Sequence, residues 1–422
     1  MDRTLLLAAG SNGRGQLATG DSHDAHSFIP CKFTKNGTSP QISPAIVSIV
    51  GGGNHTLALL SWANDSAASL EVWGCGDGTK GQLGPGYNDA DSEGRDQSAV
   101  LRPLILPWEE QGLFGYTISH VAACWETSFF VLSKNDQHDL LASMGGNDFG
   151  DLGIGDASSK TKIKAHFHIV DFSHIVGSAV QLVSITDIAA GPHHVIVLLR
   201  ADKKQYIAGW GTARHGQLGS LLLPSGRALP FSTSPVAIDL PIDVQLDPVL
   251  SVRAGSQHSV FLHASGHISA LGSDAKSQLQ GLRTAEDVQA IDCTWNGTYI
   301  RTSLVLCSTG TNARGQLGRR EHISEAPSGV VRFPVEARVL DFACGSEHVL
   351  AIVEESRGSR AVWGWGWNEH GNLGTGSLDD VNVPVKIWPP PAAESEAMTS
   401  MVLRVWAGCG TSWIAVSKCA SQ

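Results

Sequence analysis

Charge is scarce in this sequence. Asp, Glu, Lys and Arg supply only 17% of the 422 residues, where an ordinary globular domain has about 25%. Glycine, by contrast, reaches 47. Few charges with many glycines argue against long solvated helices and favour short strands joined by tight turns. Positive charge is the scarcer sign: 30 Lys and Arg face 40 Asp and Glu, a formal net charge of −10. A general nucleic-acid binder needs a basic footprint for phosphates. No run of Lys and Arg is long enough to form a basic arm, so no direct nucleic-acid contact is expected.

Long apolar runs are missing as well. Nothing approaches the ~18 apolar residues of a membrane span, and no membrane contact is expected. The run from Leu5 to Ala9 is too short for a signal sequence and meets Gly10-Ser11-Asn12. A cytoplasmic and nuclear location is therefore expected, which would leave the sequons at Asn36, Asn54, Asn64 and Asn296 unused. The eight cysteines, at 31, 75, 124, 293, 307, 344, 409 and 419, never form a CxxC pair. In a cytosolic chain that spacing predicts reduced thiols and no metal site.

Catalytic signatures are equally thin. No Walker, HExxH or GxSxG pattern occurs. The segments Gly10-Ser-Asn-Gly13-Arg-Gly15 and Gly74-Cys-Gly76 do not open a helix in a βαβ unit, so neither reads as a phosphate cradle. His193 and His194 would face opposite sides of a strand, which disfavours joint chelation. Glu109-Glu110 and Asp379-Asp380 read as solvated charge. A protein that is not an enzyme is expected, with no catalytic residue, cofactor or metal.

What the sequence does contain is repetition, the signature of a modular array. A first motif, Gly-x-Asn-x-x-Gly-Gln-Leu, occurs in degenerate form seven times, at Gly10–Leu17, Gly76–Leu83, Gly145–Leu152, Gly211–Leu218, Gly272–Leu279, Gly310–Leu317 and Gly366–Leu373. A second motif, Gly-x-x-His/Thr before an apolar run, alternates with it. Its copies are Gly52–His55, Cys124–Thr127, Gly191–His194, Gly255–His258, Thr294–Gly297, Gly345–His348 and Gly408–Thr411. The apolar runs, such as Val349–Val353, have the length and flanks of buried strands. The first-motif glycines are spaced by 66, 69, 66, 61, 38 and 56 residues.

Seven alternating pairs predict an all-β, seven-bladed β-propeller, a single domain over residues 1–422. Closure has a specific form. Leu5–Ala8 lacks a preceding partner strand and Trp413–Val416 lacks a following one, so their pairing completes the last blade and removes both free edges. Long surface loops are expected near 85–103, 156–180, 220–248 and 376–400. The repeat begun at Gly272 is reduced: it has Ser277 for the usual Gly and lacks such a loop.

The recurring Leu reads as a packing anchor between blades and the recurring His as a structural residue. The two middle residues of each second motif should form a ring on one face of the propeller. The expected partner-binding residues are Asn54, Trp125, Glu126, His193, Gln257, Trp295, Asn296 and Glu347. Trp125 and Trp295 carry two readings with equal weight, a binding surface or a cover over the central channel. Trp363, Trp365 and Trp367 alternate on one side of a strand, which favours inter-blade core. Trp367, leading into the turn, joins the binding set as the most exposed of the three.

These paired motifs resemble the repeat of the regulator of chromosome condensation family over essentially the whole chain. The resemblance implies a seven-bladed propeller. Within the family the chain is similar to the fungal alpha-tubulin suppressor branch. It has the reduced repeat Asp292-Cys-Thr-Trp-Asn-Gly-Thr-Tyr299, and a start at a first-motif strand, with no leader and no added domain, is expected. That similarity implies a non-enzymatic scaffold for a small metal-binding (zinc or iron) protein. It would serve diphthamide synthesis on elongation factor 2 and tRNA wobble-uridine modification with the Elongator complex. The alternative implied by the wider family is guanine-nucleotide exchange on a small Ras-like GTPase. Light sensing, as in plant ultraviolet-receptor relatives, is disfavoured because the Gly-Trp-Arg-His-Thr pentapeptide is missing.

Overall fold

The computed structural model describes residues 3–40, 43–62, 70–85, 87, 98–108, 110–155, 167–319, 328–355, 358–390 and 400–418. The interiors of the segments 85–103, 156–180 and 376–400, with Asn64, Glu109 and Cys419, lie outside the described residues.

Seven antiparallel sheets form the blades of one ring. Each is a meander that starts at the channel and ends at the rim. Blade 1 runs Ala45–Gly51, His55–Ser61, Leu70–Gly76, Arg102–Pro103. Blade 2 runs Thr117–Ala123, Thr127–Ser133, Leu140–Gly145, His168–Val170. Blade 3 runs Val183–Ala190, His194–Ala201, Lys204–Thr212, Phe231–Ala237. Blade 4 has three strands, Val249–Ala254, His258–His263 and Ile268–Gly272. Blade 5 runs Val288–Thr294, Gly297–Thr302, Leu306–Gly310, Ser328–Val330. Blade 6 runs Arg338–Cys344, His348–Glu354, Arg360–Gly366, Val381–Trp388.

Blade 7 is made from both ends of the chain. Ser400–Ala407 and Thr411–Lys418 pair with Arg3–Gly10, which pairs in turn with Ala25–Pro30. The closing register places Leu5 opposite Val416 and Ala8 opposite Trp413, as the unpartnered terminal strands required. The segments read from sequence as long loops each supply a rim strand: Arg102–Pro103, His168–Val170, Phe231–Ala237 and Val381–Trp388 lie within or at the edge of them. Their polar, Pro-rich composition suits an edge strand, where one side of the ladder faces solvent. The reduced repeat after Gly272 provides no rim strand, and blade 4 stops at three.

Alternation sets the packing. The second strand of each blade is buried on both sides, as in Leu57–Leu60 and Val195–Leu199, because it faces a neighbouring blade on each side. Leu57, Leu59 and Leu83 of blade 1 pack with Phe130, Leu132 and Met144 of blade 2. Leu373 of blade 6 packs with Ile414 and Val416 of blade 7. Burial of one such leucine contributes about 2 kcal/mol. Trp363 and Trp365 enter this core beside Phe333, at centroid distances of 5.9 and 6.0 Å. Trp367 lies beyond the strand and is half-buried.

In all seven blades the innermost strand skips a residue in its pairing, the pattern of a β-bulge. Bulges bend a strand and add twist, which steers seven strands toward one channel. Antiparallel order then fixes the faces. The second motif joins strands one and two at the end where strand three delivers the first motif. All fourteen motif copies therefore lie on one face of the ring.

Candidate binding face

The two motifs are held together by one repeated contact. In every blade the third residue of the second motif offers its carbonyl to the N–H that follows the first glycine of the first motif. Asn54 accepts from Asp77, Glu126 from Gly146, His193 from Thr212 and Gln257 from Ser273. Asn296 accepts from Thr311, Glu347 from Trp367 and Gly410 from Ser11, the whole set spanning 2.7–3.1 Å. That glycine has φ between +90° and +126° in all seven copies. A Cβ there would sit 2.2–2.4 Å from the same carbonyl oxygen. Only glycine meets both demands.

The rest of the first motif caps its own turn. Asn12, Asn147, Asn312 and Asn368 accept through Oδ1 from the N–H of the leucine five residues on. Gln16, Gln82, Gln217, Gln278 and Gln316 accept through Oε1 from the N–H two residues before them.

Below this layer the second-motif histidines tie blade to blade. His55, His194, His258 and His348 reach Ser128, Ser259, Thr298 and Ser412 of the following blade through Nε2, at 3.0–3.2 Å. Ser259 and Thr298 donate onward to the carbonyls of Gln217 and Gln278. Their oxygens therefore accept from Nε2–H, which places the proton of His194 and His258 on Nε2. Burial pushes His194 down to about 3 and the other three down to about 4. These are neutral structural histidines. Thiols on the same face are equally quiet: burial raises Cys75 to about 12 and Cys409 to about 11. No disulfide forms among the described cysteines.

At the centre the sequence-picked residues meet selectively. Trp125 of blade 2 and Trp295 of blade 5 reach across the channel, with ring centroids 6.0 Å apart and planes tilted by 47°. Both stay half-buried. They roof a cavity of about 130 Å³ walled by small residues, among them Ala123, Ala190, Cys344 and Ala407. These tryptophans cover the channel, and both keep part of their surface exposed on the motif face. Their backbones join a hydrogen-bond chain across the turns. Gly53 donates to Trp125 and Trp125 to Pro192, while Ser256 donates to Trp295 and Trp295 to Ser346. Pro192 has no N–H and breaks the chain between blades 3 and 4.

The other picked residues sit around this pair. Glu126 lies 3.6 Å from Lys80. His193 lies 3.4 Å from Asp151 and stacks at 4.5 Å on Phe149. Asn296 donates to Glu347 at 2.6 Å, and Gln316 donates to the second oxygen of the same carboxylate. Burial raises the Glu347 carboxyl above the usual range, against the lowering effect of these amides. Asn54 is exposed and Gln257 half-buried, and no side-chain hydrogen bond joins either to the central group. Trp367 stands edge-on to His370 at 5.3 Å, and His370 reaches Asp24 at 2.7 Å.

Sequence reasoning missed the exposed cations. Arg14, Lys80, Lys276 and Arg314 occupy the fifth position of the first-motif copies that follow blades 7, 1, 4 and 5, and all four are exposed. The repeat alignment itself carried that signal. It also missed a channel staple: Arg253 lies between Asp187 at 3.3 Å and Asp292 at 3.9 Å, linking blades 3, 4 and 5. No group of three or more His, Cys, Asp or Glu side chains able to hold a metal occurs among the described residues.

Comparison with known proteins agrees with the geometry. Residues 305–352 and 361–412 match the regulator of chromosome condensation (RCC1) repeat. The secretion-regulating guanine nucleotide exchange factor of Bos taurus is 27% identical over 90% of this chain and 77% of its own length. The RCC1 repeat-containing protein C10F6.04 of Schizosaccharomyces pombe is 27% identical over 98% of this chain and 99% of its own. The structure of yeast RCC1 (Prp20), solved with Kap60 bound, superposes with a TM-score of 0.73 at 18% identity, covering 100% of this chain and 90% of that one. The chain is a seven-bladed β-propeller in which residues 305–352 and 361–412 match the regulator of chromosome condensation repeat.

Proposed function

We propose that this protein is a non-catalytic binding propeller that engages a small GTPase through its motif face and promotes release of the bound guanine nucleotide. The observation that carries the binding role is the Trp125–Trp295 pair, 6.0 Å apart and half-exposed at the hub of that face. Large aromatic rings beside small turn residues are the composition of interface hot spots. Similarity over most of the chain to a guanine nucleotide exchange factor supports the choice of partner class. The adapter role for a small metal-binding protein in diphthamide synthesis and tRNA wobble-uridine modification is the second reading. It rests on the Asp292–Tyr299 segment, whose hairpin carries Trp295 to the hub.

The test is capture of partners by the tagged protein from its host, with and without a magnesium chelator. Retention of a GTPase in nucleotide-free form, with faster GDP release in vitro, supports exchange. Recovery of a small zinc- or iron-binding protein, with GDP release unchanged, overturns exchange and supports the adapter role.

A further inference from the structure

One carboxylate on the motif face lacks a countercharge. Glu347 is half-buried, and its carboxylate is held by two neutral amides, Asn296 and Gln316. No Lys, Arg or His nitrogen lies within 4.0 Å of it among the described residues. The two nearest basic side chains act from further away. Of these, Lys276 is exposed, and Arg314 is engaged by Glu369 at 2.7 Å and Asp380 at 3.3 Å. Glu126 on the same face differs, with Lys80 at 3.6 Å.

Two indoles belong to the turns around this carboxylate. Trp295 directly precedes Asn296, whose amide holds the carboxylate, and Trp367 donates its backbone N–H to the Glu347 carbonyl at 2.9 Å. Both indoles are half-exposed. A partly desolvated carboxylate without a cation is costly, and indole faces attract cations.

We propose that Glu347, with the half-exposed Trp295 and Trp367 on the same face, is a subsite for a lysine or arginine side chain of the protein partner. The incoming cation meets the carboxylate end-on and an indole face from the side, two interactions that reinforce one another at low water content. A partner presenting an acidic group here would meet an uncompensated negative charge. The proposal rests on the motif face being the docking surface, but its test needs no partner and therefore stands or falls separately.

The probe is agmatine, which carries a guanidinium and an ammonium group, with butylurea as a neutral isostere of similar shape. Both are titrated into the full chain while the indole N–H resonances are followed. Expected are saturable shifts of the Trp295 and Trp367 signals with agmatine in the millimolar range, and none with butylurea. Glu347→Gln weakens agmatine by about tenfold. Trp367→Leu, at a half-exposed position, weakens it as well and keeps the test decisive if Glu347→Gln misfolds. Equal shifts with butylurea, unchanged affinity in the variants, or no saturation with agmatine would each overturn the proposal.

Discussion

The imidazole of His258 occupies the space that a side chain on Gly255, three residues earlier, would need. A Cβ on Gly255 would come within 2.1 Å of the ring carbon Cε1, and its three nearest neighbours would all be atoms of that ring. The glycine and the histidine of the second motif are thus one steric unit. Blade 2 has neither residue, with Cys124 and Thr127 in their places, whereas blade 7 keeps Gly408 beside Thr411. A double-mutant cycle follows. Gly255→Ala alone displaces the ring and breaks its bond to Thr298, costing about 3 kcal/mol. His258→Thr relieves the clash, so the double variant should be more stable than the sum of the single effects by at least about 1 kcal/mol. Denaturant midpoints of the four proteins decide it, and strict additivity would refute the coupling.

Acid should loosen the ring through the same residues. His55, His194, His258 and His348 are neutral when folded, with burial holding them at about 3 to 4. Unfolded, each regains a value near 6.5. Between those limits the unfolded chain binds more protons, so stability falls as pH drops from about 6.5 toward 4 and is level above that window. The Tm–pH curve should steepen below pH ~6.5. His348→Gln, which retains a side-chain donor, should flatten that slope by about one proton. An unchanged slope would count against neutral burial of this ring.

Glycines in the first motif and directly after it should divide by surroundings. Gly366 has φ +101° and would place a Cβ 2.4 Å from the Glu347 carbonyl. Gly219 has φ +87° but meets nothing within 4 Å. Gly219→Ala should cost only the backbone strain, ~1–2 kcal/mol. Gly366→Ala should cost ~3 kcal/mol or more, because backbone must move as well. Thermal denaturation of both variants measures the gap, and equal losses would refute the carbonyl contact.

The blade count and the closing strand were legible because both depend on local, repeated chemistry. A glycine that must admit a carbonyl recurs wherever that contact recurs, and Leu5–Ala8 lacked the preceding strand that every other repeat supplies, which left Trp413–Val416 to fill that side. Rim strands such as Phe231–Ala237 were not legible. An edge strand tolerates Pro235 and polar residues, so its composition matches that of a loop. Within the site, the ring of second-motif turns could be read from spacing. The meeting of Trp125 with Trp295 could not, since it depends on which blades stand opposite in the closed ring. The link from Asn296 to Glu347 joins two repeats whose first-motif glycines lie 56 residues apart, and neither side chain is a motif position.

The tryptophan roof separates binding from folding. Trp125 and Trp295 touch each other and the rim of the cavity rather than the inter-blade clusters that hold Trp73, Trp210 and Trp413. Trp295→Ala should therefore lower stability by ~1 kcal/mol or less, near the value of one aromatic pair. Trp210→Ala should cost ~3–5 kcal/mol, as expected of a fully buried indole. Partner affinity should show the reverse order. Trp125→Ala and Trp295→Ala each remove a central anchor and should weaken binding by at least about tenfold. Calorimetric unfolding paired with a pull-down titration checks both halves. If Trp295→Ala unfolds the propeller, the roof belongs to the core. If it folds and binds normally, the partner sits elsewhere.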